Sequence, residues 1–218
     1  MMKRPAILLS ILLLAIAAPM FAQSRSVDVI GFVNRVDPNG DGTFDDGIDD
    51  VNVNFDSEQG FGLAVNVFWS NRISTEFAVS VVEPDVAFES TNPLIPAFTG
   101  GSLEMIPITA TLQYHFAPNA RIDPYIGAGA AYVLFDQLDG NDDLDDLDVD
   151  QIDFDDDVGF VVNAGVSFDI TPNFAIYLDG KYVPVSSAAT ATFATGPGTQ
   201  ADVDINPLII SAGLGFQF

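Results

Sequence analysis

The chain has 218 residues, no Cys, 31 acidic against 7 basic side chains and a formal net charge of −24, yet 48% of it is hydrophobic. Disorder requires low hydrophobicity as well as charge, so this composition excludes a disordered chain. So few cations exclude a nucleic-acid binder, and the missing Cys excludes a disulfide framework.

The acids are clustered. Seven Asp lie in 37–56 and twelve in 136–157, which together hold 19 of the 31 acids. Long, sparsely charged apolar stretches run between them, as expected of membrane spans joined by solvated loops.

At the N-terminus Lys3 and Arg4 precede an apolar run from Ala6 to Ala18 and the small residue Ala22. A basic start, a short apolar core and a small residue before a polar one make a secretory signal peptide over residues 1–22. The run falls well short of the ~20 residues a helix needs to span a bilayer. The remainder, 23–218, is expected to be a single domain that leaves the cytoplasm, with any membrane residence supplied by strands.

Ser26 to Val36 is strand-like, but apolar residues fall on both parities and leave its facing open. An acidic loop is expected at 37–57. Gly60 to Trp69 alternates, with Phe61, Leu63, Val65, Val67 and Trp69 on one face. Successive side chains of a strand point to opposite sides, so such a face is continuous. After a turn at Ser70-Asn71, Ile73, Thr75, Phe77, Val79 and Val81 continue it, opposite Ser74, Glu76, Ala78, Ser80 and Val82. Residues 84–102, with three Pro and two adjacent Gly, are expected to form a loop.

Ile106 to Phe116 sets Ile108, Ala110, Leu112 and Tyr114 against Thr109, Thr111, Gln113 and His115. A turn at Ala117–Ala120 leads to Arg121–Phe135, with Ile126, Ala128, Ala130 and Tyr132 outward. The second acidic loop is expected at 136–157. Phe160–Ile170 and Phe174–Val185 alternate about a turn at Thr171-Pro172-Asn173. Residues 186–200 read as another loop. The last strand, Leu208 to Phe218, is apolar on one parity throughout, and small or polar on the other near its end.

This makes eight strands joined alternately by three short turns and four longer connections. Short periplasmic turns with long extracellular loops characterise outer-membrane barrels. The expected fold is therefore all-β, an eight-stranded antiparallel transmembrane β-barrel of the outer-membrane type with N- and C-termini periplasmic. Trp69, Tyr114, Phe116, Phe168, Phe174, Phe216 and Phe218 form the lower aromatic girdle. A soluble lipocalin-like barrel would point its apolar faces inward and need charge on the other parity, which is mostly Gly, Ala, Ser and Thr.

Several segments resemble the outer membrane protein W family. They are Arg35-Val-Asp-Pro38, Leu112-Gln-Tyr-His-Phe116, Pro124-Tyr-Ile-Gly-Ala-Gly-Ala-Ala-Tyr132 and Val158–Val166. Asp179-Gly-Lys-Tyr182, Val203-Asp-Ile-Asn-Pro207 and Gly213-Leu-Gly-Phe216 with a terminal Phe complete the set. The resemblance implies an outer-membrane barrel with a narrow, partly apolar lumen that admits small hydrophobic compounds. The Asp-rich insertions at 37–50 and 136–157 depart from that pattern.

Strand parity assigns the lumen. Val133, Phe135, Val183, Val185, Ile205, Pro207 and Ile209 should line an apolar outer half. Glu76, Gln113, His115, Asn163, Ser167, Asp169, Asp179, Lys181 and Gln217 should make a polar inner half. Lys181 is the one Lys beyond the signal peptide, so Asp179, Glu76 or Asp169 is its expected partner. Asp37, Asn39, Asp41, Thr43 and Asp45 match part of a calcium-loop pattern, with a sharp turn expected at Gly42. Position twelve, however, is Ile48. The plain alternative is a solvated acidic loop. The lone His115, beside a periplasmic turn, reads as a hydrogen-bonding residue rather than a general base, so no enzyme is expected.

The function expected is a porin-like facilitator of small hydrophobic solutes across the outer membrane. The alternative is a non-transporting surface barrel whose acidic loops bind divalent cations or a partner. Outer-membrane lipid and, through Phe218, the barrel-assembly machinery are the other partners expected.

Overall fold

The computed structural model describes residues 26–38, 41–45, 50–90, 98–140, 149–193 and 199–218. The expected signal peptide at 1–22 lies outside the described residues.

The first strands are β1 (Val27–Pro38), β2 (Asp41–Asp45), β3 (Asp50–Phe55), β4 (Glu58–Ser70), β5 (Ile73–Val81) and β6 (Asp85–Ser90). Next come β7 (Phe98–His115), β8 (Ile122–Gly140), β9 (Val149–Phe154) and β10 (Asp157–Thr171). The last are β11 (Phe174–Tyr182), β12 (Ser186–Phe193), β13 (Thr199–Asp204) and β14 (Pro207–Gln217).

Eight of them, in the order β5-β4-β1-β14-β11-β10-β8-β7, close into a ring through antiparallel β5–β7 pairing. Closure leaves no open edge, as hydrocarbon requires, since an unpaired backbone group there costs several kcal/mol. β1 and β14 pair from Asp28↔Gln217 to Pro38↔Pro207, which joins the first and last described strands. The expected barrel is the one observed.

The short connections are built as their residues dictate. Ser70 Oγ accepts from the Ile73 N–H at 3.1 Å, and Thr171 Oγ1 accepts from the Phe174 N–H at 3.0 Å. Such hydroxyl-capped turns suit a tight hairpin. Beside them Tyr114–Phe116, Phe174–Phe216 and Phe216–Phe218 stack edge to face, with centroids 4.7–5.2 Å apart.

Outward residues such as Phe61, Leu63, Ile126, Phe160, Ile210 and Leu214 are exposed, the arrangement of a lipid-facing wall. Val65 and Val67 share the outward parity of β4 but are buried. The ambiguous β1 is settled by register, with Asp28, Ile30, Asn34 and Val36 buried and Val29 and Val33 exposed.

The longer connections differ from expectation. The expected loops at 84–102 and 186–200 contain β6, the start of β7, β12 and β13. The two acidic segments contain β2, β3, β9 and the end of β8. These pieces extend the wall beyond the barrel in the order β7-β6-β3-β2-β13-β12-β9, with β9 beside β8. Pairing satisfies backbone groups that a structureless loop would leave to water. The expected sharp turn at Gly42 falls inside β2, where Gly42 pairs with Val53 and Val203.

Candidate functional site: a two-level lumen

The inward parity of the strands carries two kinds of side chain at two heights. In the outer half Val133, Phe135, Val183, Val185, Ile205 and Ile209 are buried in one apolar cluster with Val36, Val82, Met105 and Val161. Pro207 is buried as well. All seven residues expected in the outer lumen thus face inward.

In the inner half the polar residues make a connected plug. Lys181 Nζ donates to Asp179 Oδ1 at 2.5 Å and lies 2.9 Å from Glu76 Oε1, all three side chains being buried. The contact with Glu76 is one of charge, without the alignment of a hydrogen bond. Asn163 Nδ2 donates to the other Asp179 oxygen at 2.9 Å. Asp169, the third partner considered for Lys181, instead accepts from Gln217 Nε2 at 3.2 Å. Gln113 Oε1 accepts from Asn66 Nδ2 at 3.0 Å.

The plug extends further than sequence reading assigned. Tyr177 donates to Asp28 Oδ2 at 2.8 Å and accepts from Gln217 at 3.3 Å. Tyr125 lies over Gly165, where a Cβ would meet its ring carbon at 2.5 Å. Both tyrosines lie on the inward parity of their strands, Tyr177 with Asp179 and Lys181, but carry no charge that would mark them as part of a plug. Asn34 was unmarked because the parity of β1 was open.

His115 is fully buried. A carboxylate only accepts, so His115 Nδ1 donates to Asp123 Oδ2, at 2.8 Å. On its other side the ring's Nε2 shares a hydrogen bond with Ser74 Oγ, 3.0 Å away. Asp123 Oδ1 also takes the Ala117 N–H at 2.9 Å, which ties the relay to the turn between β7 and β8. Ser, His and Asp in this order suggest nucleophilic catalysis. Yet Ser74 is as fully buried as His115, so no acyl group reaches its hydroxyl. The relay clamps a turn.

The wall keeps one register between β5 and β7 but lacks a donor at one point, a seam one hydrogen bond wide. β5–β7 pairing runs from Ile73↔Tyr114 to Val79↔Ile108 and resumes at Val82↔Met105. Pro107, which has no N–H to give the ladder, sits in the interval. A small cavity inside the barrel is lined by Phe32, Asn34, Val79, Pro107, Lys181 and Ile209. A second, lined by Phe32, Glu76, Tyr125, Asp179, Lys181 and Ser211, lies beneath it. Each has room for about one water molecule.

Of the calcium-loop residues, Asp37 pairs with Leu208 in the β1–β14 ladder. Asn39 and the side chains of Asp41, Thr43 and Asp45 lie outside the described residues.

The sequence pattern of the OmpW family matches residues 24–218. The chain belongs to the OmpW family. Its members are outer-membrane barrels without enzymatic activity, which settles compartment and class here. Outer membrane protein AlkL of Ectopseudomonas oleovorans is 25% identical over 170 residues, 78% of this chain and 69% of that protein. Outer membrane protein W of Vibrio cholerae is 26% identical over 159 residues, 72% of each. In fold the barrel is similar to OprG of Pseudomonas aeruginosa (TM-score 0.79, 20% identity, 89% of this chain and 96% of that one). It is also similar to AlkL in lipid bilayers (TM-score 0.60, 21% identity, 92% of this chain and 94% of that one).

Proposed function

We propose that this OmpW-family barrel admits small hydrophobic molecules across the outer membrane. What carries the reading is the division of the lumen into an apolar outer half and an ion-paired plug. A hydrophobic solute entering the outer half exchanges apolar contacts for apolar contacts, and each CH₂ it removes from water is worth about 0.8 kcal/mol. Crossing the plug would instead separate buried charges, at several kcal/mol. A shorter way, sideways into lipid, would need β5 and β7 to part at Pro107, where the ladder lacks one donor.

A test is uptake of a hydrophobic dye into vesicles containing the mature barrel. Ile209→Asp places a carboxylate where the apolar half meets the cavity and should cut uptake about tenfold, the factor that ~1.4 kcal/mol of unfavourable solute contact produces. Unchanged permeation would overturn the proposal.

The second reading is a non-transporting barrel whose acidic loops hold divalent cations. It draws support from the close packing of Val133, Phe135, Val183 and Ile209 within the outer cluster. Calcium titration with Asp41→Ala decides it, since a specific site would lose its binding heat.

A further inference from the structure

Where the apolar half meets the plug, one polar side chain has no use inside the protein. Asn34 is buried, and neither its amide oxygen nor its amide nitrogen has a hydrogen-bond partner in the protein. Both groups pay for leaving water without compensation, so such a residue in a tight interior calls for something to bind. Its place is prepared. On β4, Gly60 leaves room for Asn34 Oδ1, which would stand 2.6 Å from a Cβ there.

Asn34 also lines the upper cavity, together with Ser80, Thr109, Ser211 and Lys181, and with Phe32 and Ile209 as apolar walls. Lys181 carries three N–H groups, one of them given to Asp179, and faces two carboxylates, so its charge is already outnumbered while an N–H remains for an acceptor in the cavity.

We infer that Asn34 and Lys181 form a headgroup site for amphiphiles that carry a neutral hydrogen-bonding head, of which an alcohol is the simplest. The inference rests on the uptake reading and names the chemistry it selects. A hydroxyl donates to Asn34 Oδ1 and accepts from Asn34 Nδ2 or from Lys181. The cavity has room for the head alone, about the size of one water molecule, so the tail must part the packed side chains of Phe32, Pro107 and Ile209. A carboxylate head fits less well. It would join a cluster with one positive charge among two negative ones, beneath loops whose acids already repel anions.

The test compares octane, 1-octanol and octanoate binding to the mature barrel in lipid nanodiscs, corrected for partition into nanodiscs without protein. The wild type should bind octanol about tenfold more tightly than octane, the factor that one net hydrogen bond contributes, and octanoate more weakly than octanol. Asn34→Leu should bring octanol and octane level, and Asn34→Ser should restore part of the preference. Should Asn34→Leu fail to fold, the Asn34 side-chain amide resonance of the wild type should shift with octanol and stay put with octane.

A preference that survives Asn34→Leu, or octanoate binding best, overturns the site. If octane binds and permeates with no gain for octanol, the site falls while uptake stands. If none of the three binds or permeates, the uptake reading falls and takes the site with it.

Discussion

Replacing Lys181 by Met removes the cation that stands 2.9 Å from Glu76 and 2.5 Å from Asp179, and leaves two buried carboxylates facing each other. Deleting one partner of a buried ion pair costs about 3–5 kcal/mol, because the remaining charge stays out of water. Two carboxylates are left here, so the expectation is the upper end, about 4–5 kcal/mol. Against a typical stability of about 5–15 kcal/mol, a loss of that size is measurable. Urea titration of the mature barrel in lipid vesicles, followed through Trp69, the one Trp of the chain, reads it. Adding Glu76→Gln and Asp179→Asn to Lys181→Met should recover more than half of the loss, since neutral groups of the same shape no longer repel. A Lys181→Met barrel within about 0.5 kcal/mol of wild type would refute the role given to the triad. A triple variant no better than the single one would refute the charge argument alone.

The same titration checks two further expectations. Asp123→Ala strips the buried His115 ring and the Ala117 N–H of their acceptor and should cost about 2–6 kcal/mol, from two bonds at roughly 1–3 kcal/mol each. Gly165→Ala sets a Cβ 2.6 Å from the Leu178 carbonyl oxygen and against the Tyr125 ring. It should destabilise by about 1–3 kcal/mol as overpacking does, and Gly165→Val by more.

The membrane barrel was legible because lipid outside and a narrow lumen inside impose alternation on every span. Ile73–Val81 and Leu208–Phe218 show it without interruption. The outer strands were not legible. Asp41–Asp45 and Ser186–Phe193 have no apolar stripe, because they pair with other outer strands, β3 and β13, beyond the lipid. Parity placed Lys181 on the side of Glu76 and Asp179, since β5 and β11 were in phase. It could not exclude Asp169, because choosing among carboxylates depends on height in the barrel and on the stagger between strands. Nor could it find Asn34. With Val29 and Ile30 adjacent and Phe32 beside Val33, only the ladder against β14 tells which parity faces inward.

The seal between β1 and β14 also sets the order in which this molecule can be made. Ser26 donates to the Phe218 carbonyl at 3.0 Å, and the Phe218 N–H to the Val27 carbonyl at 2.9 Å. Until β14 arrives, β1 has only β4 for a neighbour and β11 only β10, so two raw edges face whatever surrounds the chain. A growing polypeptide therefore cannot finish its barrel piece by piece. The last strand must be made before the ring can close, and until then the edge of β1 has to be kept from pairing with anything else.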